Sequence, residues 1–408
     1  MAAVNQTIAY LAPALTALES TFVYDELLGL EARGIRIVPV SVHRPQCYLV
    51  GHDELLARTH YLYDSGFFAT LARALVSLAG RRNNLAAAFR WLRADLREAG
   101  PRQGGKLAFQ FLVAARLADI LLEHGCRHLH IHFAHVPTQI GMYAAAMAGI
   151  PFTVMAHAND IFERGLLLAR KAERARKFLT ISEYNRAYLE RIGVAPEHLA
   201  VVRCGVSFPV RDEVPSRQRR LSYRIGTLGR LVEKKGVDVL IRAVGLLRDR
   251  GHGVDLAIAG DGPLRAELEA LAASLGLGDA VRFEGNLSHA RVRGWMHELD
   301  IFVLACKPDA NGDMDGIPVV LMEAMSQQVP VVSTRLSGIP ELVIDGETGL
   351  LADPGDADSL ATQIGRLLAA PGLGQSLALR GAAHVRAEFG QEVNLDRLLG
   401  HMGFATRQ

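Results

Sequence analysis

Carboxylates, cations and glycines gather at four places in the second half of the chain, each where a β-branched run ends and a loop begins. The first is Gly229-Arg230-Leu231-Val232-Glu233-Lys234-Lys235-Gly236. Arginine can grip phosphate oxygens through two parallel N–H groups, lysine acts as a point charge, and N–H groups opening the next helix add to both. Arg230 and Lys235 are therefore candidates for a diphosphate, whereas Lys234 reads as a solvated turn residue. A basic turn with no ligand is the plainer reading of the whole segment. The second place is Ala259-Gly260-Asp261-Gly262-Pro263, where glycine either lets a backbone approach a ligand or simply makes a tight turn. The third runs Asp315-Gly316-Ile317-Pro318-Val319-Val320-Leu321-Met322-Glu323-Ala324-Met325. Pro318 suits the first turn of a helix, so Asp315 falls in the loop before it and Glu323 more than a turn inside. A carboxylate buried among Val, Leu, Met and Ala is costly unless something donates to it, and the paired hydroxyls of a ribose are suitable donors. A rise of about 1.5 Å per residue puts the two carboxylates at most roughly 12 Å apart, comparable to the reach from ribose to hexose in a nucleotide sugar. A structural arginine bound to Glu323 is the alternative. The fourth place is Ser337-Gly338-Ile339-Pro340-Glu341, whose N–H groups at Gly338 and Ile339 could open a short helix and bind phosphate, or form a plain turn.

Such loops need parallel sheets to hold them. In the first half, strands are expected at residues 8–12, 35–42, 128–133, 152–156, 178–181 and 199–203. Helices separate them at 20–33, with Ser20 as N-cap, and at 136–148, 166–176 and 183–191. After a Pro- and Arg-containing lapse the pattern restarts, with strands at 223–228, 254–259, 281–284, 301–304 and 329–333. Helices follow at 237–250, 264–275, 289–298, 319–327 and from 358 onward. This alternation predicts an α/β chain of two Rossmann-like parallel-sheet domains facing across a cleft, with ligands at the carboxyl ends of the strands. At 408 residues, with half of them hydrophobic and 22% charged, the chain fits two domains of about 200 residues each. A net charge of +2 argues against a nucleic-acid partner. Cys47, Cys126, Cys204 and Cys306 are isolated, which suits a reducing compartment and argues against a zinc site. No apolar run is long enough to cross a membrane and residues 1–9 are too polar for a signal peptide, so a cytoplasmic location is expected.

The first half carries its own candidates. His157 follows the strand 152–156 and, at a strand's carboxyl end, could donate to a sugar hydroxyl or a carbonyl; it could equally be a cap, although Asn159 and Asp160 can cap the next helix themselves. His130, His132 and His135 invite a metal reading. His130 and His132 share one face of a strand, yet Phe133, Ala134 and Val136 supply no carboxylate, and the expectation is no metal, with His132 and His135 lining the cleft. In the loop Leu18-Glu19-Ser20-Thr21-Phe22, Ser20 and Thr21 could present hydroxyls and N–H groups to a phosphate or acceptor, or cap a helix. Between residues 81 and 116 stand Arg81, Arg82, Arg90, Arg93, Arg97, Arg102, Lys106 and Arg116, opposed only by Asp95 and Glu98 and accompanied by Leu85, Phe89, Trp91, Leu92 and Leu96. A basic amphipathic helix with Trp and Phe suits an anionic membrane surface; a solvated helix packed on the core is the alternative.

The order Gly-Arg-x4-Lys-Gly, Gly-Asp-Gly-Pro, acid-x7-Glu-Ala-Met and Gly-Ile-Pro-Glu resembles the C-terminal half of the family 4 retaining glycosyltransferases of GT-B fold. The Glu-Ser-Thr-Phe loop is similar to the Ser-Glu-Thr-Phe turn of exopolysaccharide (colanic-acid-type) members. The resemblance covers nearly the whole chain. It implies an acceptor-side domain over residues 1–207, a linker over 208–222, a donor-side domain over 223–386 and a C-terminal helix over 387–408 returning to the first domain. It also implies a metal-independent, retaining transfer of a hexose from a UDP- or GDP-linked donor, without a cofactor. The acceptor would be a lipid-linked saccharide or polysaccharide at the inner face of a bacterial membrane. Arg230 and Lys235 would bind the diphosphate, Glu323 the ribose, and Asn286 and Leu287 would border the base. Asp315 stands where the family has glutamate and would accept from the hexose, within a donor loop that includes Gly260, Gly316, Ile317, Pro318 and Val319. His157 would be the active-site histidine, with Ser20, Thr21, His132, His135 and Asp160 on the acceptor side. Domain closure would assemble the site. A nicotinamide oxidoreductase would need Gly-x-Gly-x-x-Gly after a first strand, which neither domain has. A sugar-nucleotide epimerase and a catalytically inactive binding subunit remain as rivals, the latter mildly favoured by Asp315.

Overall fold

Strand and helix alternate along the chain, and each run of strands closes into a sheet of its own. The computed structural model describes residues 7–15, 21–45, 53–63, 67–79, 85–207 and 222–404. Leu18, Glu19, Ser20, Cys47, Arg81, Arg82 and the 208–221 part of the linker lie outside the described residues, as does the side chain of Thr21. The chain divides into two units, one of residues 1–205 with 391–408 and one of residues 206–390.

The first unit holds β1 (Thr7–Ala12), β2 (Arg36–Ser41), β3 (His60–Tyr61), β4 (His128–His132), β5 (Phe152–Ala156), β6 (Lys177–Thr180) and β7 (Leu199–Val201). Their order is β3-β2-β1-β4-β5-β6-β7, and every pairing is parallel. β1 and β4 are buried along their whole length, as strands covered on both faces must be. One face, with Ala9, Leu11, Leu129 and Ile131, packs under helices Leu85–Glu123 and Val136–Ala148. The other face carries Ile8, Tyr10 and Ala12 of β1 under helices Thr21–Ala32 and Gln391–Met402. Because side chains alternate along a strand, His128, His130 and His132 share one face of β4. The C-terminal helix is tied to this unit by Arg33, which pairs with Glu392 at 2.5 Å and Asp396 at 2.8 Å.

The second unit holds β8 (Tyr223–Leu228), β9 (Val254–Ala259), β10 (Val281–Gly285), β11 (Ile301–Val303), β12 (Val331–Thr334) and β13 (Leu350–Ala352) in the order β10-β9-β8-β11-β12-β13, again all parallel. Each sheet reverses its strand order once, between β1 and β4 in the first and between β8 and β11 in the second. At such a point neighbouring connections run to opposite faces and leave a crevice beyond the strand ends.

Two parallel-sheet units agree with the sequence reading, and three local expectations need correction. β3 and β13, of two and three residues, are too short for a periodic signal. The basic stretch belongs to a long helix broken at Gly100 (φ 71°), with Pro101 restarting it. Asp95, counted as a surface charge, is fully buried; both its oxygens take guanidinium bonds from Arg174 at 2.7 Å, and the Tyr143 hydroxyl adds one at 2.6 Å. Arg174 also lies 4.9 Å over the ring of Trp91, so that aromatic packs inward. Arg116 donates to the Leu62 carbonyl and is likewise structural.

Candidate functional site

In the second unit the switch point is built by glycine. Leaving β8, the chain passes Gly229 and the exposed Arg230, and beside it β9 ends at Gly260. A side chain at Gly260 (φ 121°) would lie 2.0 Å from the Gly229 carbonyl, and one at Gly262 would lie 2.5 Å from the Leu231 carbonyl. The glycines at 260 and 262 thus serve the close packing of two loops, a role beside the two left open for them. Gly236 (φ 62°) then turns the chain into helix Val237–Asp249 against the Ala305 carbonyl, where any Cβ would collide.

This turn presents Lys235 to the loop after β11. Its ammonium lies 2.7 Å from Oδ2 of Asp315, and the Cys306 thiol donates to the same oxygen at 3.4 Å. Burial alone would raise the Asp315 carboxyl, but Lys235 and then Lys234 more than offset it and hold it below the usual range. Lys234 is not the solvated residue expected: it pairs with Asp313 at 2.8 Å and approaches Asp315 at 3.6 Å. Gly316, Ile317 and Pro318 are buried behind Asp315. Pro318 is the N-cap, just ahead of the first turn expected for it, and helix Val319–Ser326 begins where it was read and ends one residue earlier. On that helix Leu321, Met322, Ala324 and Met325 face the core. Glu323 lies with Val319 and Ser326 on the half-exposed stripe, so its carboxylate is less enclosed than the apolar run suggested. Asn286 is exposed and Leu287 half-buried just beyond β10, the edge strand of the sheet. The Ile339 N–H is bonded to the Leu336 carbonyl at 3.0 Å, which removes it from phosphate binding.

In the first unit the switch point is polar and closed. Glu26, on helix Thr21–Ala32, points one oxygen at two hydrogen-bonding groups, with a third ring nitrogen close by. The Tyr10 hydroxyl donates to it at 2.6 Å, His132 Nε2 lies at 3.1 Å and His130 Nε2 at 3.4 Å. Burial would raise the Glu26 carboxyl, but His132 and His130 outweigh it and hold it far below the ordinary range. His132 Nδ1 lies 3.3 Å from His157 Nε2, with the two rings nearly parallel. Phe133, forced to φ 72°, turns the chain sharply after β4, and its ring packs on His157 at 4.7 Å. Backbone strain of this kind tends to collect beside functional sites. A pocket at these strand ends is lined by Phe22, Glu26, His132, His157, Arg203 and Asn394. Burial, with His132 beside it, pushes the His157 imidazole well below the ordinary histidine range.

The structure separates the acceptor-side candidates. His132 and His157 share the pocket. His135 caps helix Val136–Ala148 and lines a different pocket, with Lys106, Gln110, Glu163 and Arg164; burial, then Arg164 and Lys171, lowers it to about 4. Asp160 is fully buried, accepts the His157 N–H at 2.8 Å and the Ala134 N–H, and therefore braces the loop rather than facing an acceptor. Burial raises it to about 7 and lowers the buried Lys171 nearby to about 7. Sequence reasoning missed Tyr10, Glu26, Lys171 and Cys306. For Glu26 a signal existed: it falls on the Val23, Leu27, Leu30 stripe that the helix buries. Its carboxylate also removes the reason for setting a metal aside. Glu26 Oε1, His130 Nε2 and His132 Nε2 lie within 4.8 Å of one another and could hold a divalent ion. The Tyr10 hydroxyl stands 2.6 Å from two of those atoms.

Two parallel-sheet units, with a lysine–aspartate pair at one switch point and a histidine-lined pocket at the other, define a GT-B-type architecture. Anabaena Alr3699/HepE, solved in complex with UDP and glucose, shares this fold at a TM-score of 0.70 and 16% identity, over 98% of this chain and 99% of that one. Residues 20–208 match glycosyltransferase family 4, and residues 222–370 match the glycosyl transferases group 1. The amylovoran biosynthesis glycosyltransferase AmsK of Erwinia amylovora is 34% identical over 71% of this chain and 72% of its own length. The putative colanic acid biosynthesis glycosyltransferase WcaL of Escherichia coli is 36% identical over 50% of this chain and 48% of its own. The chain belongs to the family 4 glycosyltransferases.

Proposed function

We propose that this glycosyltransferase moves a hexose from a UDP- or GDP-linked donor to a lipid-linked saccharide or polysaccharide, with retention and without a metal. The Lys235–Asp315 pair carries the reading. This pair, at a switch point and with 18% and 14% of its side chains exposed, can exchange its partners for a ligand's own charges. The donor's outer phosphate draws the Lys235 ammonium and the Arg230 guanidinium, while Asp315 turns to the hexose hydroxyls and Glu323 to the ribose. As the bond from the anomeric carbon to the phosphate oxygen breaks, negative charge grows on that phosphate and the cations oppose it. The acceptor hydroxyl oxygen bonds to the same face of the sugar, and its proton passes to the departing phosphate oxygen. His157, in the first unit, donates to a sugar hydroxyl.

The surface of the first unit supports action at a membrane. Phe89, Arg90, Arg93, Leu96 and Arg97 are exposed on one helix, and Leu75 and Val76 on the helix packed against it, Phe67–Ala79. Apolar side chains among arginines suit an anionic bilayer. Among the described residues no helix is long and apolar enough to cross one.

Thermal shift with UDP, GDP and their sugars tests the donor: a true ligand raises the melting temperature by mass action. The anomeric configuration of the product, read by NMR with EDTA present, tests retention and metal independence together. Donor hydrolysis without transfer would leave a weak enzyme, and neither binding nor hydrolysis would sink the reading. Co-sedimentation with anionic vesicles, lost in Arg90→Glu/Arg93→Glu, tests the membrane surface.

A further inference from the structure

We propose that Glu26 is a positioning residue for the transfer, acting through His132 to hold His157 in the tautomer that carries its proton on Nε2. This rests on the reading of His157 as the donor to a sugar hydroxyl.

Proton counting along the contacts carries it. A carboxylate accepts only, so each nitrogen or hydroxyl hydrogen-bonded to Glu26 Oε1 must bring a proton. Tyr10 brings its O–H at 2.6 Å. His132 brings an Nε2–H at 3.1 Å, which it shares with the Tyr10 oxygen at 2.6 Å. When His132 carries a single proton, the one its contact with Glu26 places on Nε2, its Nδ1 is bare and lies 3.3 Å from His157 Nε2. His157 must then supply the proton on Nε2. His130 stands beside this branch: its Nε2 lies 3.4 Å from the same Glu26 oxygen without a hydrogen bond, and its Nδ1 contacts the Thr153 hydroxyl at 2.8 Å. From His157 through His132 to Glu26, no two donors and no two lone pairs meet.

The arrangement has a reason to exist beyond stability. His128 and His130 are buried away from the pocket, while Glu26, His132 and His157 line its wall, His157 being the most exposed of these histidines. A negative charge in that wall, relayed by one ring, decides which nitrogen of the outermost histidine is a donor. The imidazole tautomer otherwise follows whichever partner is nearest. Removing the charge while keeping the shape should let the relay reverse.

Glu26→Gln in the full-length protein, labelled with 15N-histidine, provides the test. In the parent protein the His157 resonances, assigned by loss in His157→Gln, should show an N–H-type Nε2 and a bare Nδ1. In Glu26→Gln they should move toward a mixture of tautomers. Turnover should fall by about tenfold or more with donor KM nearly unchanged, and Glu26→Asp should recover much of it. An unchanged His157 tautomer in Glu26→Gln, or unchanged turnover, overturns the relay. So does stoichiometric zinc on Glu26, His130 and His132 in the purified protein, since both Nε2 atoms would then be ligands without protons. Full activity in His157→Gln would instead remove the role of His157, a failure separable from that of the relay.

Discussion

Each sheet places one carboxylate at its switch point, and the two are comparably enclosed: 14% of the Asp315 side chain is exposed and 15% of Glu26. Their partners differ. Lys235 is a flexible cation, 18% exposed, on a glycine turn, whereas His130 and His132 are rings locked in a fully buried strand. An ion pair at a rim is easily exchanged for a ligand; a carboxylate fixed by rigid rings orients its neighbours. The second unit is organised to take up charge and the first to hold protons in place. The contrast extends beyond the sites. Every described histidine with a clear shift lies in the first unit, together with the buried Asp95–Arg174 pair and Lys171.

The largest effect should come from breaking that interior. Asp95→Ala strands the Arg174 guanidinium and the Tyr143 hydroxyl, and removing one partner of a buried pair costs about 3–5 kcal/mol. The chain's two tryptophans, Trp91 and Trp295, fall one in each unit and allow the units to be followed separately in urea. The Trp91 transition should move to much lower denaturant. A shift below about 1 kcal/mol would mean that water reaches Arg174, and that the first interior is no more sensitive than the second.

Lys235→Ala probes the opposite property. Turnover should drop on the order of 10²–10³-fold, as when one donor to a developing oxyanion is removed. The Trp295 transition should move less than the Trp91 transition does in Asp95→Ala, because Asp315 keeps Lys234 beside it at 3.6 Å and this pair is less deeply buried. Normal turnover would break the contrast at its centre, leaving Lys235 a structural partner of Asp315.

Acid should distinguish the units next. Burial holds His128 at about 3, with His130 beside it adding to the effect, and His135 at about 4; His130 and His157 are lowered as well. An unfolded histidine takes its proton near pH 6.5, so between about 6.5 and 3 the unfolded chain binds protons that the folded unit refuses. Stability from these groups is present above pH 6.5 and lost as pH falls toward 3, by up to roughly 1.4 kcal/mol per pH unit for each histidine. Asp160, raised to about 7, works in the opposite sense over most of that window, down to the ordinary carboxylate range near 4, one group against four. The Trp91 transition should therefore weaken from pH 6.5 to 4 while the Trp295 transition holds. Parallel loss in both would remove the asymmetry.

The same contrast explains what was legible in the sequence. Arg230 and Lys235 sit five residues apart, and Asp315 and Glu323 eight, each set in one loop and the helix beside it, so spacing alone carries the geometry. Both sheets were readable because their strands are apolar runs at regular intervals. Glu26, Tyr10, His132 and His157 come from four separate elements, brought together by the β1–β4 and β4–β5 pairings and the helix packed over them. His135 was grouped with His132 by proximity in sequence, yet the left-handed Phe133 sends the chain away immediately after β4. The depth of Asp95 was hidden for a similar reason: its partner lies 79 residues onward.

The smallest effect concerns Asp315 itself, where the resemblance leads one to expect glutamate. Asp315→Glu keeps the charge and adds one methylene, on the side where the Cys306 thiol already lies at 3.4 Å and Lys235 at 2.7 Å. The longer arm has to displace the thiol or swing past the ammonium, so the ion pair should survive while the carboxylate reaches further toward the hexose. A reaction limited by charge on the phosphate depends on Lys235 and Arg230, and kcat should change by about threefold or less. Discrimination between hexoses differing at one hydroxyl should shift more, since a buried hydroxyl left unpaired costs about 1–3 kcal/mol. Competing donor sugars in a single reaction measure that ratio directly. A large rise in kcat without any change in preference would mean that the aspartate limits the chemistry itself, and that this site is tuned for holding a donor more than for turning it over.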